Sequence, residues 1–288
     1  MRNLQDAGFD AAHILPHIES AGYYEASNLN ELSSDFEPVE ARLDWAVEQA
    51  LEGFVASCDT RLQPTLVEAG FWLNFTSPLK HQFVGLSAGQ TIAGRAVGEL
   101  QGSTECHSIN SVNTMSITDE KMTITSSDGD GVVDLAVEFG IDFSSPSAPI
   151  LLLHGGGGAA RSVAAAWTKA GGRIHQVPSH RVLGEGPWDL LSESEAEQSV
   201  ADFGVSFNGE TELVRKAKIV LESTYDSSIL PSLQNADVSG LDGRWMLVAQ
   251  HLYSWKTCWA QGVANFLPGI RQCVELLLAA ESLLQRTE

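Results

Sequence analysis

The stretch that decides the fold is PILLLHGGGGAARSVAAAWTKAGGRIHQV, residues 149–177. An apolar run of strand length comes first, four glycines follow it, and an alanine-rich segment of helical composition leads to a second strand-like run. A strand, a tight turn, a helix and a second strand form the βαβ unit of a parallel sheet that is buried on both faces. This stretch therefore predicts an α/β protein.

The four glycines of this stretch carry a recognisable spacing. Gly155, Gly157 and Ala160 satisfy G-x-G-x-x-A directly between the predicted strand and the predicted helix. Residues without a Cβ let the main chain approach a pyrophosphate, whose charge is met by free N–H groups and by the positive end of the helix dipole. The alternative is a tight turn that binds nothing. We predict a dinucleotide site formed by Gly155, Gly156, Gly157, Gly158 and Ala159.

The choice of cofactor depends on the residues after the second predicted strand. There the sequence reads VPSHR, with Ser179, His180 and Arg181, and it has no acid before Glu185. NAD enzymes usually carry an acid at this place for the ribose hydroxyls, whereas NADP enzymes carry cations for the 2′-phosphate. The segment favours NADP and leaves NAD possible, and the alternative is a pair of solvated loop cations.

The rest of the chain can be divided by its periodic segments. Residues 1–66 are acidic and mostly helix-forming, with one apolar helical stripe from Pro38 to Phe54. GFWLNFT is a short apolar run, a Gly-rich helical piece extends through Val97, and SINSVNTMSIT with KMTITSS predicts a hairpin around Thr118 to Lys121. DGDGVVDLAVEFGI predicts a turn followed by a helix that ends at Gly140, and two amphipathic helices close the chain.

Composition excludes several classes of protein. The chain has 288 residues and a formal net charge of −20, which argues against a surface for nucleic acid or anionic membrane. No apolar run is long enough to span a bilayer, and the N-terminus lacks the pattern of a secretory leader. The four cysteines have neither zinc-ligand nor paired spacing, so we expect reduced thiols, no metal and a cytoplasmic location. The expected partner is a small molecule, and the expected state is a monomer or a homodimer.

Six short motifs follow one another between residues 70 and 250. They are GFWLNFTSPLK (70–80), SVNT (111–114), SSDGDG (126–131), GGGGAAR (155–161), ESTY (222–225) and DGRWMLVAQ (242–250). In kind and order they resemble the G-F-N-V-T-x-P-x-K, A-V-N-T, N-T-D-G-x-G, G-A-G-G-A-A-R, D-x-x-Y and D-G-x-x-M-L-x-x-Q motifs of the shikimate dehydrogenase family, which includes quinate dehydrogenases.

The resemblance implies the roles of several residues. Lys80 and Asp128 match the family's catalytic Lys–Asp pair. A Lys beside a carboxylate can take the proton that leaves the substrate oxygen as hydride leaves carbon. The positions that hold substrate hydroxyls in the family correspond to Asn74, Thr76, Asn113 and Gln250. Tyr225 is a further candidate, and it could equally pack in the core.

One element of the family has no clean counterpart. The family's Ser-x-Ser-Pro loop binds the substrate carboxylate, and the nearest candidate here is LSSDFEP, with Ser33 and Ser34 ahead of Pro38. Tyr23 and Tyr24 are alternative hydroxyl donors. Either the serines come from a rearranged loop or the ligand differs from shikimate.

The resemblance also implies the architecture and the activity. We expect two lobes: a substrate-binding domain of residues 1–129, built around a mainly parallel sheet and completed by helices of residues 243–288, and a Rossmann-like domain of residues 130–242. The implied activity is NADP-dependent interconversion of 3-dehydroshikimate and shikimate, or of a closely related cyclic polyhydroxy acid, in the shikimate pathway. The alternatives are a quinate or aminoshikimate dehydrogenase that uses NAD, and a catalytically weak sensor of ligand or nucleotide.

Overall fold

The computed structural model describes the following residues: 71–74, 80, 84, 91–92, 95–96, 98–118, 121–207, 216–223, 240–259 and 261–284. The chain divides into two compact units. Unit 1 comprises Met1–His107, Val112–Thr125 and Arg286–Glu288, and unit 2 comprises Ser108–Ser111 and Ser126–Gln285. The predicted helical stripe from Pro38 to Phe54 lies outside the described residues.

Unit 1 contains six described strands. They are β1 (Phe71–Asn74), β2 (Thr91–Ile92), β3 (Arg95–Ala96), β4 (Glu99–Gln101), β5 (Thr114–Thr118) and β6 (Lys121–Thr125). Four of them form a sheet in the order β1-β5-β6-β4, and β2 pairs with β3 in a separate ribbon. Strands β5 and β6 are antiparallel, with Thr118 opposite Lys121, so the predicted hairpin is confirmed.

Two expectations for unit 1 are wrong. Among the strands that the structure describes, the sheet is mixed, because β1 and β5 are antiparallel, β5 and β6 are antiparallel and only β4 and β6 are parallel, whereas the sequence predicts a mainly parallel sheet. The Gly-rich piece expected to be helical contains β2 and β3, which are antiparallel. The β-branched residues Thr91 and Ile92 suit a pleated strand better than a helix.

Unit 2 contains a parallel sheet of five strands. They are β7 (Ile150–His154), β8 (Arg173–Val177), β9 (Phe203–Ser206), β10 (Ile219–Glu222) and β11 (Gly240–Leu241). Their order is β11-β10-β9-β7-β8, and every neighbouring pair is parallel. The βαβ unit predicted from residues 149–177 is therefore confirmed, and β7 is buried along its three central leucines.

The described helices are α1 (Ser103–Ile109), α2 (Ser127–Glu138), α3 (Gly158–Lys169), α4 (Glu193–Gln198), α5 (Gly243–Ser254) and α6 (Ile270–Leu284). A π-helix, Trp255–Trp259, and a 3-10 helix, Gln261–Phe266, follow α5. The predicted turn at DGDG is part of α2, which already begins at Ser127. Gly140 follows the end of α2 with a φ of 87°, as expected of a glycine that ends a helix.

The core of unit 2 fixes the strand ends that carry the candidate site. Trp167 of α3 is fully buried, donates from its indole nitrogen to the carbonyl of Pro149, and meets the ring of Phe143 edge-on at 4.8 Å. Trp245 of α5 is also buried and packs edge-on against Phe139. Helices α3 and α5 are therefore anchored by large aromatic side chains.

The C-terminal helices belong to unit 2 in this division of the chain. The reason is that α5 packs closely on α2, and Gly131 of α2 touches the main chain of Gln250. The predicted domains, with residues 243–288 completing the substrate-binding domain, stay a prediction. No helix among the described residues is long and apolar enough to cross a bilayer.

Candidate dinucleotide and substrate sites

The sheet order places a topological switch point at the carboxyl end of β7. Strand β8 lies on one side of β7 and β9 on the other, so the connections after β7 and β8 run in opposite directions. Ligands of open α/β sheets bind in the crevice that such a reversal creates. His154 ends β7 and Ser206 ends β9, and the His154 Nδ1 and Ser206 Oγ atoms lie 2.9 Å apart at this edge.

The glycine turn begins directly after this pair. Gly155 has a φ of 135°, which a residue with a side chain rarely adopts. A Cβ on Gly156 would lie 2.3 Å from the carbonyl oxygen of Val182 and 2.6 Å from that of Arg181. The turn is therefore pressed against the main chain of the loop that follows β8, and Gly156 has no room for any side chain.

The next glycine differs because its surroundings are open. Among the residues that the structure describes, a Cβ on Gly157 would meet only Nη1 of Arg181, at 4.0 Å. Gly157 is also the N-cap residue of α3, and it has no side chain with which to cap this helix. The first N–H groups of α3 are consequently available to an anion, which the helix dipole also favours.

Two guanidinium groups lie beside the turn. Arg161 donates to the carbonyl of Gly156, at 3.4 Å, and also to the carbonyls of Ile109 and Asn110. Burial and the nearby charge of Arg181 lower the pKa of Arg161 from its usual high value. Neither arginine forms a salt bridge with a carboxylate among the residues that the structure describes. An anion bound here would relieve their mutual repulsion.

The other residues predicted to choose the cofactor share the loop with Arg181. The Ser179 hydroxyl donates to the carbonyl of Arg181 and so shapes the loop. His180 and Arg181 are both exposed. The structure thus brings the predicted pyrophosphate residues and the loop of predicted 2′-phosphate residues together in unit 2.

Asp128, the predicted catalytic carboxylate, lies in the first turn of α2 and is 1% exposed. The two glycines that follow Asp128 in DGDG are contact points between helices. A Cβ on Gly129 would lie 2.1 Å from the carbonyl oxygen of Ser162 in α3, and a Cβ on Gly131 would lie 2.5 Å from the main-chain nitrogen of Gln250 in α5. The glycines of DGDG therefore allow α2 to lie between two neighbouring helices.

Gln250 lies on α5 and is 9% exposed. Its helix starts at Asp242, whose carboxylate accepts from the Arg244 main-chain nitrogen at 3.0 Å and pairs with the Arg244 side chain at 2.6 Å. Arg244 also pairs with Glu281 of α6 at 2.9 Å. The hydrogen bonds that Arg244 donates to Glu281, and then those to Asp242, raise the pKa of Arg244. The first residues of the DGRWMLVAQ motif therefore fix the start of the helix that carries Gln250.

Three predicted residues of unit 1 lie close to one another. Asn74 faces Thr114 across β1 and β5, and its side-chain amide donates to the Thr114 hydroxyl at 3.4 Å. The same hydroxyl lies 3.3 Å from Oδ1 of Asn113. The main-chain carbonyl of Lys80 accepts from Val112 N at 2.6 Å. Asn74 and Asn113 thus both contact Thr114, and the main chain of Lys80 is bonded to the residue before Asn113.

Solved structures of other proteins are similar to this chain. The chain is similar to a chorismate mutase/shikimate 5-dehydrogenase fusion protein from Clostridium acetobutylicum, with 17% identity, a TM-score of 0.51, and coverage of 91% of this chain and 93% of that chain. The chain has the shikimate dehydrogenase fold. It is also similar to an Ael1 enzyme from Pseudomonas putida, with 19% identity, a TM-score of 0.50, and coverage of 82% and 84% respectively. No protein-family model matches the sequence, and no curated protein sequence matches it significantly.

Within the shikimate dehydrogenase fold, some predicted site residues stay predictions. Ser33, Ser34, Thr76 and Tyr225 lie outside the described residues. Lys80 belongs to unit 1 and Asp128 to unit 2, and their catalytic pairing stays a prediction as well.

Sequence reasoning missed three polar residues. Thr114 bridges the two predicted asparagines, and its place in SVNT beside Asn113 was an available signal. Ser111 of the same motif contacts Ser126 of SSDGDG through their hydroxyls, at 3.1 Å. Ser162 contacts α2 from α3, and no local pattern could have indicated this contact between residues 33 positions apart.

Proposed function

We propose that this chain is an NADP-dependent oxidoreductase that interconverts 3-dehydroshikimate and shikimate, or a closely related cyclic polyhydroxy acid. The observation that carries the proposal is the glycine turn at the switch point between β7 and β9, which is open above Gly157 and flanked by Arg161 and Arg181. The Clostridium acetobutylicum protein with this fold is named for shikimate 5-dehydrogenase, which supports the class of reaction.

The residues of the turn fit a dinucleotide. The uncapped N–H groups at the start of α3 and the bare Cα of Gly157 suit a pyrophosphate. Arg181, with Ser179 and His180 in the same loop, suits a 2′-phosphate, because a guanidinium forms paired hydrogen bonds with phosphate oxygens. A dinucleotide held by these residues would supply hydride-transfer chemistry for the substrate carbon.

Residues of the protein itself would transfer the proton. Lys80 would take the proton from the substrate hydroxyl on oxidation and return it on reduction, and Asp128 would orient the hydroxyl and the Lys80 ammonium. The proposed hydrogen-bond partners of the substrate hydroxyls are Asn74, Thr76, Asn113 and Gln250, with Tyr225 as a further candidate. Ser33 and Ser34 are the proposed partners of the substrate carboxylate.

The decisive experiment measures reduction of NADP and of NAD by the purified protein with shikimate or quinate. We expect turnover with NADP, and we expect Lys80→Ala to lower kcat by about 10²–10⁴-fold, since it removes the general base. Lys121→Ala is the matched control in unit 1, because no motif gives Lys121 a role. Unchanged turnover in Lys80→Ala would contradict the proton role.

The cofactor preference is tested separately by titration. Arg181→Ala should raise the Kd for NADP at least about tenfold and leave the Kd for NAD unchanged, because only NADP carries the extra phosphate. Equal losses for both nucleotides would assign Arg181 to the pyrophosphate instead. Tight binding of NADP without turnover of either acid would favour the ligand-binding sensor.

A further inference from the structure

The helix that carries Asp128 begins in an unusual way. Ser126 is the N-cap residue of α2, and serine commonly uses its hydroxyl to accept from the second or third N–H group of a helix. Here the Ser126 side chain makes no such bond, and its hydroxyl contacts Ser111 instead. The first turn is buried, so its N–H groups need partners from within the protein.

Ser162 of α3 supplies the missing cap. Its hydroxyl accepts from Gly129 N at 2.9 Å and donates to the carbonyl of Ser126 at 2.6 Å, and the side chain is 2% exposed. The contact depends on Gly129, because any Cβ there would collide with the Ser162 carbonyl. One hydroxyl therefore holds the residues two before and one after Asp128.

The same end of α3 holds a second segment. Arg161 donates to the carbonyls of Ile109 and Asn110 at 2.7 Å each. Asn110 has a φ of 48°, so this short segment adopts a conformation that few side-chain residues take without support. Two consecutive residues of the helix that begins at the glycine turn thus secure both stretches, 109–110 and 126–129.

We propose that Ser162 is a positioning residue for Asp128, because its hydroxyl caps α2 from the helix that starts at the dinucleotide turn. The inference rests on the proposed function for its catalytic consequence. Removing the hydroxyl leaves a buried N–H group without its partner, and the first turn of α2 then shifts to recover one. A displacement of about 1 Å in a proton-transfer group can lower turnover by about 10²-fold.

The test compares two buried serines of unit 2. Ser162→Ala removes the cap, and Ser254→Ala removes a hydroxyl that, within the described part of the chain, donates only to the His251 carbonyl of its own helix α5. We expect Ser162→Ala to lower kcat by about 10–100-fold while the Kd for NADP changes less than about twofold, and Ser254→Ala to leave both values unchanged. A purely structural role would lower the melting temperature without lowering kcat in the folded protein.

A double-mutant cycle shows whether Ser162 acts through Asp128. In the Asp128→Asn background, Ser162→Ala should lower kcat by less than about twofold, because the group that it positions has already lost its charge. An effect of equal size in both backgrounds would overturn the inference.

Hydrogen exchange separates a failure of this inference from a failure of the proposed function. The amides of residues 127–131 should exchange at least about tenfold faster in Ser162→Ala than in Ser254→Ala. Unchanged exchange would overturn the inference whatever the activity. Faster exchange in a protein that turns over no substrate would overturn the proposed function and leave the capping contact supported.

Discussion

Two helix N-termini of unit 2 differ in the partners that are available to the N–H groups of their first turns. Helices α2 and α3 both begin without a cap from their own N-cap residue. The start of α2 is buried and is completed by Ser162, whereas the start of α3 at Gly157 is open and is flanked by two arginines. The difference indicates which N–H groups the protein uses for its own packing and which it presents to an anion.

The largest effect is expected at the buried start of α2. Gly129→Ala should lower the free energy of unfolding by about 2–4 kcal/mol, since its Cβ would lie 2.1 Å from the Ser162 carbonyl oxygen and α2 would have to move away. Gly184→Ala is the matched control, because no atom of the residues with described positions lies within 4 Å of a Cβ there. Urea unfolding measures the free energy of unfolding of both variants, and equal values would contradict the close contact of α2 with α3.

A substitution at the open start of α3 should change the affinity for NADP instead of the stability of the fold. In Gly157→Ala the new methyl group meets no atom of the described part of the chain closer than 4.0 Å, so the melting temperature should stay within a few degrees of wild type. The methyl group would still obstruct a phosphate, and the Kd for NADP should rise about tenfold or more. Titration by calorimetry measures this. An unchanged Kd would mean that the pyrophosphate does not approach this turn.

The smallest effect is expected at a third N-terminus, which lies on the surface. Helix α4 has a complete capping box, in which Glu195 accepts from Ser192 N and also pairs with Arg173. Hydrogen bonds from Arg173, and then from Ser192, lower the pKa of Glu195 to about 2. A lowered pKa in the folded state adds stability above the unfolded-state value of 4.5, and this stability is lost as the pH falls toward 2.

Glu195→Gln should therefore lower the melting temperature slightly at pH 7, and the difference from wild type should shrink between pH 4.5 and pH 2. Glu193→Gln is the control in the same turn, because Glu193 takes no part in the capping box. A difference that stays constant across this range would show that the charge of Glu195 contributes nothing to the cap.

The part of the fold that sequence predicts well is the part formed by neighbours along the chain. The strand, turn, helix and strand of residues 149–177 are contiguous, and each has its own periodicity, so the pattern was sufficient. The hairpin of β5 and β6 was predictable for the same reason. In contrast, the direction of β1 and the strands in the Gly-rich piece depend on pairing partners that no local pattern specifies.

The candidate site could likewise be predicted where it depends on consecutive residues, and not where it depends on residues far apart in the chain. The glycine turn could be predicted because its function depends on consecutive residues, whereas Ser162 acts on a helix that precedes it by 33 positions. The sequence DGDG predicts a turn, because sequence alone does not distinguish a glycine needed for backbone freedom from one needed for close packing. The structure shows that Gly129 and Gly131 are of the second kind.

The cap that Ser162 provides also constrains the order in which the chain can fold. Helix α2 precedes α3 in the chain, so its first turn cannot acquire its final hydrogen bonds until residues 158–169 have been synthesised and have formed their own helix. We therefore expect the segment around Asp128 to be among the last parts of unit 2 to become protected during folding, after the sheet and α3 have assembled.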